Sequence, residues 1–239
     1  MASPYGMDIT ESCLACRSHT GQMFCSFSST TLKAFEAIKF ATIYPAGSVL
    51  FLEGQAARGV FVLCKGRVKL SICSSEGKSL ILKIAEPGEV LGLSATVSGE
   101  AYGLTAETLD PCQVNFVKRD DFLRLVREHG DACLHTVEAL SDKYNAACQE
   151  IRSLGLSHSA AERLGRFLLE CSFRSGQAGA QQPRLKIGLT HEEIAQLIGT
   201  SRETVTRVFT EMRKRQIVEI NGATVLIRNK AALERLVAA

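Results

Sequence analysis

The chain has 239 residues, 46% of them hydrophobic and 22% charged, with a formal net charge of +3. That length holds two compact domains, and no uncharged apolar run is long enough to be a membrane-spanning helix. The small overall charge says little about nucleic acid, and the N-terminus lacks the basic-then-apolar order of an export signal, so a cytoplasmic protein is expected.

Residues 1–28 read as an arm that carries three of the nine cysteines, Cys13, Cys16 and Cys25, in the pattern C-x2-C-x8-C. A secreted disulfide scaffold would be smaller and denser in cysteine, so reduced thiols or metal ligands are expected. Residues 29–127 follow as a β-roll. From Pro45 to Lys118 short strands alternate with glycine turns, and Gly66, Gly77, Gly88 and Gly99 recur every 11 residues. Arg67 to Cys73 alternates polar and apolar, and Ser79 to Ala85 is a mostly apolar strand. Such spacing predicts a small sandwich or roll. Phe122 to Glu128 reads as a connecting helix.

Residues 128–155 form a longer helix. Cys133, Val137, Leu140, Tyr144, Ala147, Ile151 and Leu154 are separated by 4, 3, 4, 3, 4 and 3, a heptad seam flanked by Glu138, Asp142, Lys143, Glu150 and Arg152. One apolar stripe can also pack against its own domain. The strict alternation favours pairing with a second copy, so a homodimer is expected, with the helix ending at Leu154-Gly155.

Residues 156–239 carry a different pattern. Ser159 with Glu162 has the spacing of a helix cap, and Leu164, Phe167, Leu168 and Cys171 would face inward. A polar loop, Gly176 to Pro183, leads on. Thr190 with Glu193 forms a capping box that opens a helix bearing Ile194, Ala195, Leu197 and Ile198, and Gly199 ends it in the left-handed conformation. Thr200 with Glu203 repeats the spacing and opens a second helix. Its inner face is Val205, Val208, Phe209 and Met212; its outer face carries Glu203, Thr206, Arg207, Thr210 and Lys214, with Arg202 at the tip. Between Arg202 and Arg215 there are five cations against two acids. Apolar surface inward, with long hydrogen-bonding side chains at the helix start, is what reading the DNA major groove requires. Gln216 to Arg228 then reads as two strands around Asn221-Gly222, the hairpin of a winged helix-turn-helix.

This α+β order of a cupin-like β-roll, a long dimerisation helix and a C-terminal winged helix-turn-helix resembles the family of the cyclic-AMP receptor protein and the fumarate–nitrate reduction regulator. SRETVTR at Ser201 to Arg207 and PGEVLGLSA at Pro87 to Ala95 carry the resemblance most specifically. It implies that Glu203 and Arg207 read base edges and that Arg202 adds a guanine or phosphate contact; Thr206 departs from the small or hydroxyl residue usual at its place, and its methyl would favour a thymine. Thr190, Ser201 and Lys214 complete the expected DNA-contacting set on a palindromic double-stranded operator. RNA polymerase is a further partner class that no local motif here identifies.

The resemblance also frames the signal. The cyclic-nucleotide branch places a Glu after the glycine matching Gly92 and an Arg-Ser about ten residues later. Here those places hold Leu93 and Tyr102-Gly103, and no Arg or Lys occurs from Ser94 to Leu109. A buried phosphate without a cation would be costly, so cyclic AMP is not the expected effector. In the fumarate–nitrate branch three N-terminal cysteines and a distant one hold an oxygen-labile [4Fe–4S] cluster. The matching residues are Cys13, Cys16, Cys25 and Cys112, although the gap before Cys25 is longer than in the best-known member. Four thiolates also suit zinc, and a thiol–disulfide switch or an organic ligand remains open. His19 lies within the arm and could replace a ligand, but a solvated loop histidine is the commoner reading. Cys64, Cys73 and Cys171 read as core, Cys133 as part of the helical seam, and Cys148 as packing beside it.

Rolls of this kind also occur in metal-dependent enzymes that place histidines inside the barrel. The five histidines here, at 19, 129, 135, 158 and 191, all fall outside Pro45 to Lys118. No nucleophile elbow, phosphate loop or dinucleotide fingerprint is present either, so no enzyme activity is expected.

Overall fold

The computed structural model of the chain describes residues 4–7, 9, 12–16, 23–156, 159–177 and 179–238; His19 and the side chain of Leu154 lie outside them. Two compact units, Met1–Ala146 and Ala147–Ala239, divide within one long helix.

In the first unit helix α1 (Ser29–Ile38) begins where the Ser28 hydroxyl accepts from the Thr31 amide, and it buries Leu32 and Phe35. The sequence pattern does not mark this helix, because it opens on Ser29, Thr30 and Thr31, which compete for their own backbone. Eight strands follow: β1 (Lys39–Tyr44), β2 (Val49–Phe51), β3 (Gly59–Lys65), β4 (Val68–Cys73), β5 (Ser79–Ala85), β6 (Val90–Leu91), β7 (Thr105–Thr108) and β8 (Cys112–Lys118). They form two antiparallel four-stranded sheets, ordered β1-β8-β3-β6 and β2-β7-β4-β5. This is the expected roll, beginning at Lys39 rather than Pro45. Gly66, Gly77, Gly88 and Gly99 all have φ between 79° and 95°, so the even spacing marks turns that favour glycine. A short helix α2 (Leu93–Ser98) leaves Gly92 in the left-handed region.

Side-chain alternation along the strands separates two layers. Phe61 and Leu63 of β3 and Cys112 and Val114 of β8 point between the sheets, with Phe51, Leu91 and Tyr102. Val60, Val62 and Val117 point the other way, beneath Phe27, Leu32 and Phe35, together with Phe122 and Leu125 of helix α3 (Arg119–Glu128).

Helix α4 (Gly130–Leu156) continues one residue past Gly155. It packs Ala132, Ala139 and Leu140 against that outer layer. Most of the heptad seam faces elsewhere: Val137 is 58% exposed, Tyr144 70% and Ile151 71%, and Cys133 is exposed as well. Leu140 is the seam residue used by the chain's own domain. Cys133, Val137, Tyr144, Ala147 and Ile151 form a mostly apolar stripe that a single chain leaves uncovered.

The second unit holds α5 (Ala160–Arg174), β9 (Arg184–Lys186), α6 (His191–Leu197), α7 (Arg202–Lys214), β10 (Val218–Asn221), β11 (Thr224–Ile227) and α8 (Lys230–Ala238). The Ser159 hydroxyl caps α5 by accepting from the Glu162 amide, as its spacing predicts. The hairpin gains a third strand, giving the order β10-β11-β9. Asn221 pairs with Thr224, so the turn is centred on Gly222 and Ala223, one residue later than expected. Helix α8 approaches α5 at Gly165, where a Cβ would lie 2.9 Å from Val237 Cγ2.

Candidate DNA-reading helix and cysteine cluster

The DNA-reading element is built from caps and a buried hinge. Thr190 and Glu193 form the full capping box of α6: each side chain accepts from the other residue's backbone amide. Gly199 has φ 62°, the left-handed end that the sequence predicts. Helix α7 is capped by Ser201, whose hydroxyl accepts from the Thr204 amide at 3.3 Å, and not by Thr200. The T-x-x-E spacing at Thr200 misleads because the chain stays extended for one more residue, placing Ser201 at the cap. Val205, Phe209 and Met212 are buried and Val208 packs against them, while Arg202, Glu203, Thr206, Arg207 and Lys214 are exposed. Thr190 and Ser201 are exposed too.

Three details sharpen this surface. Thr206 Oγ1 donates to the Arg202 carbonyl at 3.0 Å and lies 2.9 Å from His191 Nδ1. A hydroxyl has one proton, so with the first bond made His191 Nδ1 carries the hydrogen. The His191 ring also stacks on Phe209 at 5.3 Å, fixing α6 against α7. Arg163 of α5 donates to the carbonyls of Ile198 and Gly199 at 2.6 and 3.4 Å, closing the end of α6. Neither His191 nor Arg163 stands out in the sequence, since each acts through a neighbour distant along the chain. Glu203 is held below its usual carboxylate range by its own amide and Ser201, so it stays ionised at the helix start. Replacing Ser201 with Ala is expected to cost about 1 kcal/mol, read as a lower unfolding midpoint in urea, with Thr200→Ala close to neutral.

The cysteines divide in a way the sequence does not predict. Cys112 is fully buried between the sheets, and its Sγ donates to the Arg67 and Asp110 carbonyls at 3.3 and 3.2 Å. A Cβ on Gly66 would sit 2.5 Å from that sulfur. Burial pushes its thiol up to about 11. Cys112 is thus a core residue, facing away from the layer where the arm packs.

On the outer layer the Cys13 amide donates to the Glu36 carboxylate at 2.8 Å. Lys39 Nζ lies 3.2 Å from Cys13 Sγ, and Asn115 Nδ2 lies 3.8 Å from Cys13 Sγ and 3.2 Å from Cys64 Sγ. Cys64 therefore does not belong to the roll's core; its thiol is pushed up to about 12 by burial, and by Cys13, Cys25 and Cys16 nearby. A turn bond from the Cys16 amide to the Cys13 carbonyl at 3.3 Å keeps those two residues together. Cys73 is exposed rather than core, Cys171 packs in the second unit's core, Cys133 is exposed and Cys148 half-buried. Among the described residues no three His, Cys, Asp or Glu side chains are already arranged around one metal position. As a donor set, the arm sulfurs with Lys39 and Asn115 suit a thiolate-bound group, whereas Cys112 does not.

A β-roll joined through a long helix to a capped helix-turn-helix with a β-hairpin defines a DNA-binding transcription regulator with a sensor-type domain. Residues 162–236 match the model of the Crp-like helix-turn-helix domain, and residues 41–129 that of the cyclic nucleotide-binding domain. The chain belongs to the family of the cyclic-AMP receptor protein and the fumarate–nitrate reduction regulator. It is 29% identical over 203 residues to the nitrogen fixation regulation protein FixK of Azorhizobium caulinodans, covering 84% of this chain and 80% of the relative. It is 23% identical to the cAMP-activated global transcriptional regulator of Pasteurella multocida, over 77% of this chain and 88% of that protein. Its fold superposes on FixK2 from Bradyrhizobium japonicum with a TM-score of 0.73 and 25% identity, covering 84% of this chain and 98% of that one. Among the described residues no helix is long and apolar enough to cross a membrane.

Proposed function

We propose that this regulator binds a palindromic operator as a homodimer, and that an oxygen-labile [4Fe–4S] cluster on the arm cysteines governs that binding. The observation that carries the reading is Cys13 held against the outer face of the roll, its amide on Glu36 and its Sγ 3.2 Å from Lys39 Nζ, with Cys16 kept beside it by a turn bond. When bound, such a cluster would supply iron centres that oxygen attacks.

The chain's own residues then connect that patch to the dimer helix. Glu36 of α1 holds the Cys13 amide. Its carboxyl lies below the usual range through a hydrogen bond from Ser12, outweighing burial, with the Cys13 amide and Lys39 assisting. At the other end of α1, Asp131 in the first turn of α4 accepts from the Thr31 hydroxyl at 2.6 Å and the Ser28 amide at 2.9 Å. Burial alone would raise the Asp131 carboxyl, but the bonds from Thr31, Ser28 and the Ala132 amide hold it well below the carboxylate range. Phe27 packs on Phe35 and on His135 of α4. Order in the arm is thereby transmitted to the start of the helix whose seam would pair, a bias of a few kcal/mol being enough to switch populations.

Cyclic AMP has no place in this reading. Leu93 is buried, and Tyr102 fills the roll by stacking on Phe51 at 4.0 Å and donating to the Gly59 carbonyl at 2.7 Å. Catalysis has none either, since the relatives named above are regulators.

The test is anaerobic purification, with iron, sulfide and zinc analysis and an absorption spectrum before and after air. About four irons and four sulfides per chain and a band near ~400 nm that air bleaches are expected. Zinc alone would replace the cluster by a structural or thiol-based site, and no metal would return the signal to an organic ligand.

A further inference from the structure

We propose that Cys64, not Cys112, is the fourth sulfur ligand of the arm's metal site. The inference rests on the reading that Cys13, Cys16 and Cys25 hold a thiolate-bound metal group, and it changes which part of the roll that group grips.

The argument starts from strand parity. On β3, Phe61 and Leu63 face the interior, while Val60 and Val62 face the layer under α1. Cys64 shares the parity of Val60 and Val62, so its thiol leaves on the arm's side. A bulge reinforces this. Leu63 pairs with Val114 and Lys65 with Gln113, leaving Cys64 as the extra residue without a cross-strand partner on β8. Bulges free a side chain from the ladder and re-aim it, and they recur beside functional sites.

Asn115 supplies the second observation. It pairs with Val62 on the same outer face, is only 1% exposed, and its Oδ1 finds no partner among the described residues. Its Nδ2 is directed at both Cys64 Sγ and Cys13 Sγ. An N–H aimed at two sulfurs is what metal-bound thiolates accept from their surroundings. Lys39, also at Cys13 Sγ, adds a positive charge that offsets the excess negative charge of four thiolates. Cys13, Cys16 and Cys25 all lie within electrostatic range of Cys64. Cys112 would have to abandon two carbonyl partners and turn through the sheet to join them.

The experiment uses the full chain, made anaerobically and loaded with iron and sulfide, as wild type, Cys64→Ser and Cys112→Ala. Circular dichroism and a thermal melt establish that each variant is folded. The expected result is loss of most iron, sulfide and ~400 nm absorbance in Cys64→Ser, with Cys112→Ala close to wild type. The reverse, with Cys112→Ala emptied and Cys64→Ser loaded, overturns the proposal and leaves the cluster reading standing. Loss in both folded variants overturns it as well. If the wild-type chain takes up zinc instead of iron, the cluster reading falls, and the zinc content of the two variants decides the ligand by the same comparison. A wild-type chain that takes up neither metal refutes both.

Discussion

Placing glutamate at both Val137 and Tyr144 is expected to leave the regulator folded but monomeric, and to weaken operator binding by at least about a hundredfold. Both side chains are 58% and 70% exposed on α4, while Ala132 and Ala139 on the opposite side, with Leu140 at the edge of the seam, hold the helix to its own domain. The substitutions therefore remove nothing from the core of the single chain. In a paired seam they would bury carboxylates against apolar neighbours, which costs several kcal/mol without a partner. Two recognition helices must sit about one DNA turn, ~34 Å, apart to meet both half-sites. A monomer keeps only one of those contacts. Sedimentation and operator titration of the same sample would read both effects. A double variant that stays dimeric would place the interface elsewhere.

How much of this was legible beforehand depends on the range of the signal. The winged helix-turn-helix reads well because its determinants are local: the Thr190–Glu193 box, Gly199 and the inward Val205, Phe209 and Met212 all lie within short spacings. The glycine period of the roll works for the same reason, since each glycine answers to the φ of its own turn. The choice between Cys64 and Cys112 is different in kind. Both sit on strands among apolar neighbours, and which face each thiol takes depends on a bulge and on sheet pairing between distant segments. Asn115 looks like an isolated polar residue until the fold sets it under two sulfurs. The same limit hides Asp131, whose carboxylate joins α1 to α4 across roughly a hundred residues of chain (one carboxylate, two partners). The choice of Ser201 over Thr200 as cap turns on one extended residue, finer than spacing resolves.

Replacing Arg207 with Ala is expected to reduce operator affinity by ~1–3 kcal/mol, roughly tenfold to a hundredfold, and to relax specificity at one base position. Arg207 is exposed on the outer face of α7, one turn beyond Glu203. Arginine is the natural bidentate reader of guanine, through its O6 and N7. The frame behind it is stiff: Thr206 is tied to Arg202 and His191, and Phe209 is buried at 3% exposure beneath the His191 ring. A fixed frame lets a lost contact appear as lost discrimination rather than as a reoriented helix. Lys214, in the last turn, provides the contrast. A flexible ammonium suits phosphate, so Lys214→Ala is expected to weaken operator and random DNA about equally and to reduce the salt slope by about 1. Titrating both variants against operator and scrambled duplex, each at several salt concentrations, separates the two roles. Equal losses on both duplexes for Arg207→Ala would move that residue to the phosphate backbone and shift base reading to Glu203 and Arg202.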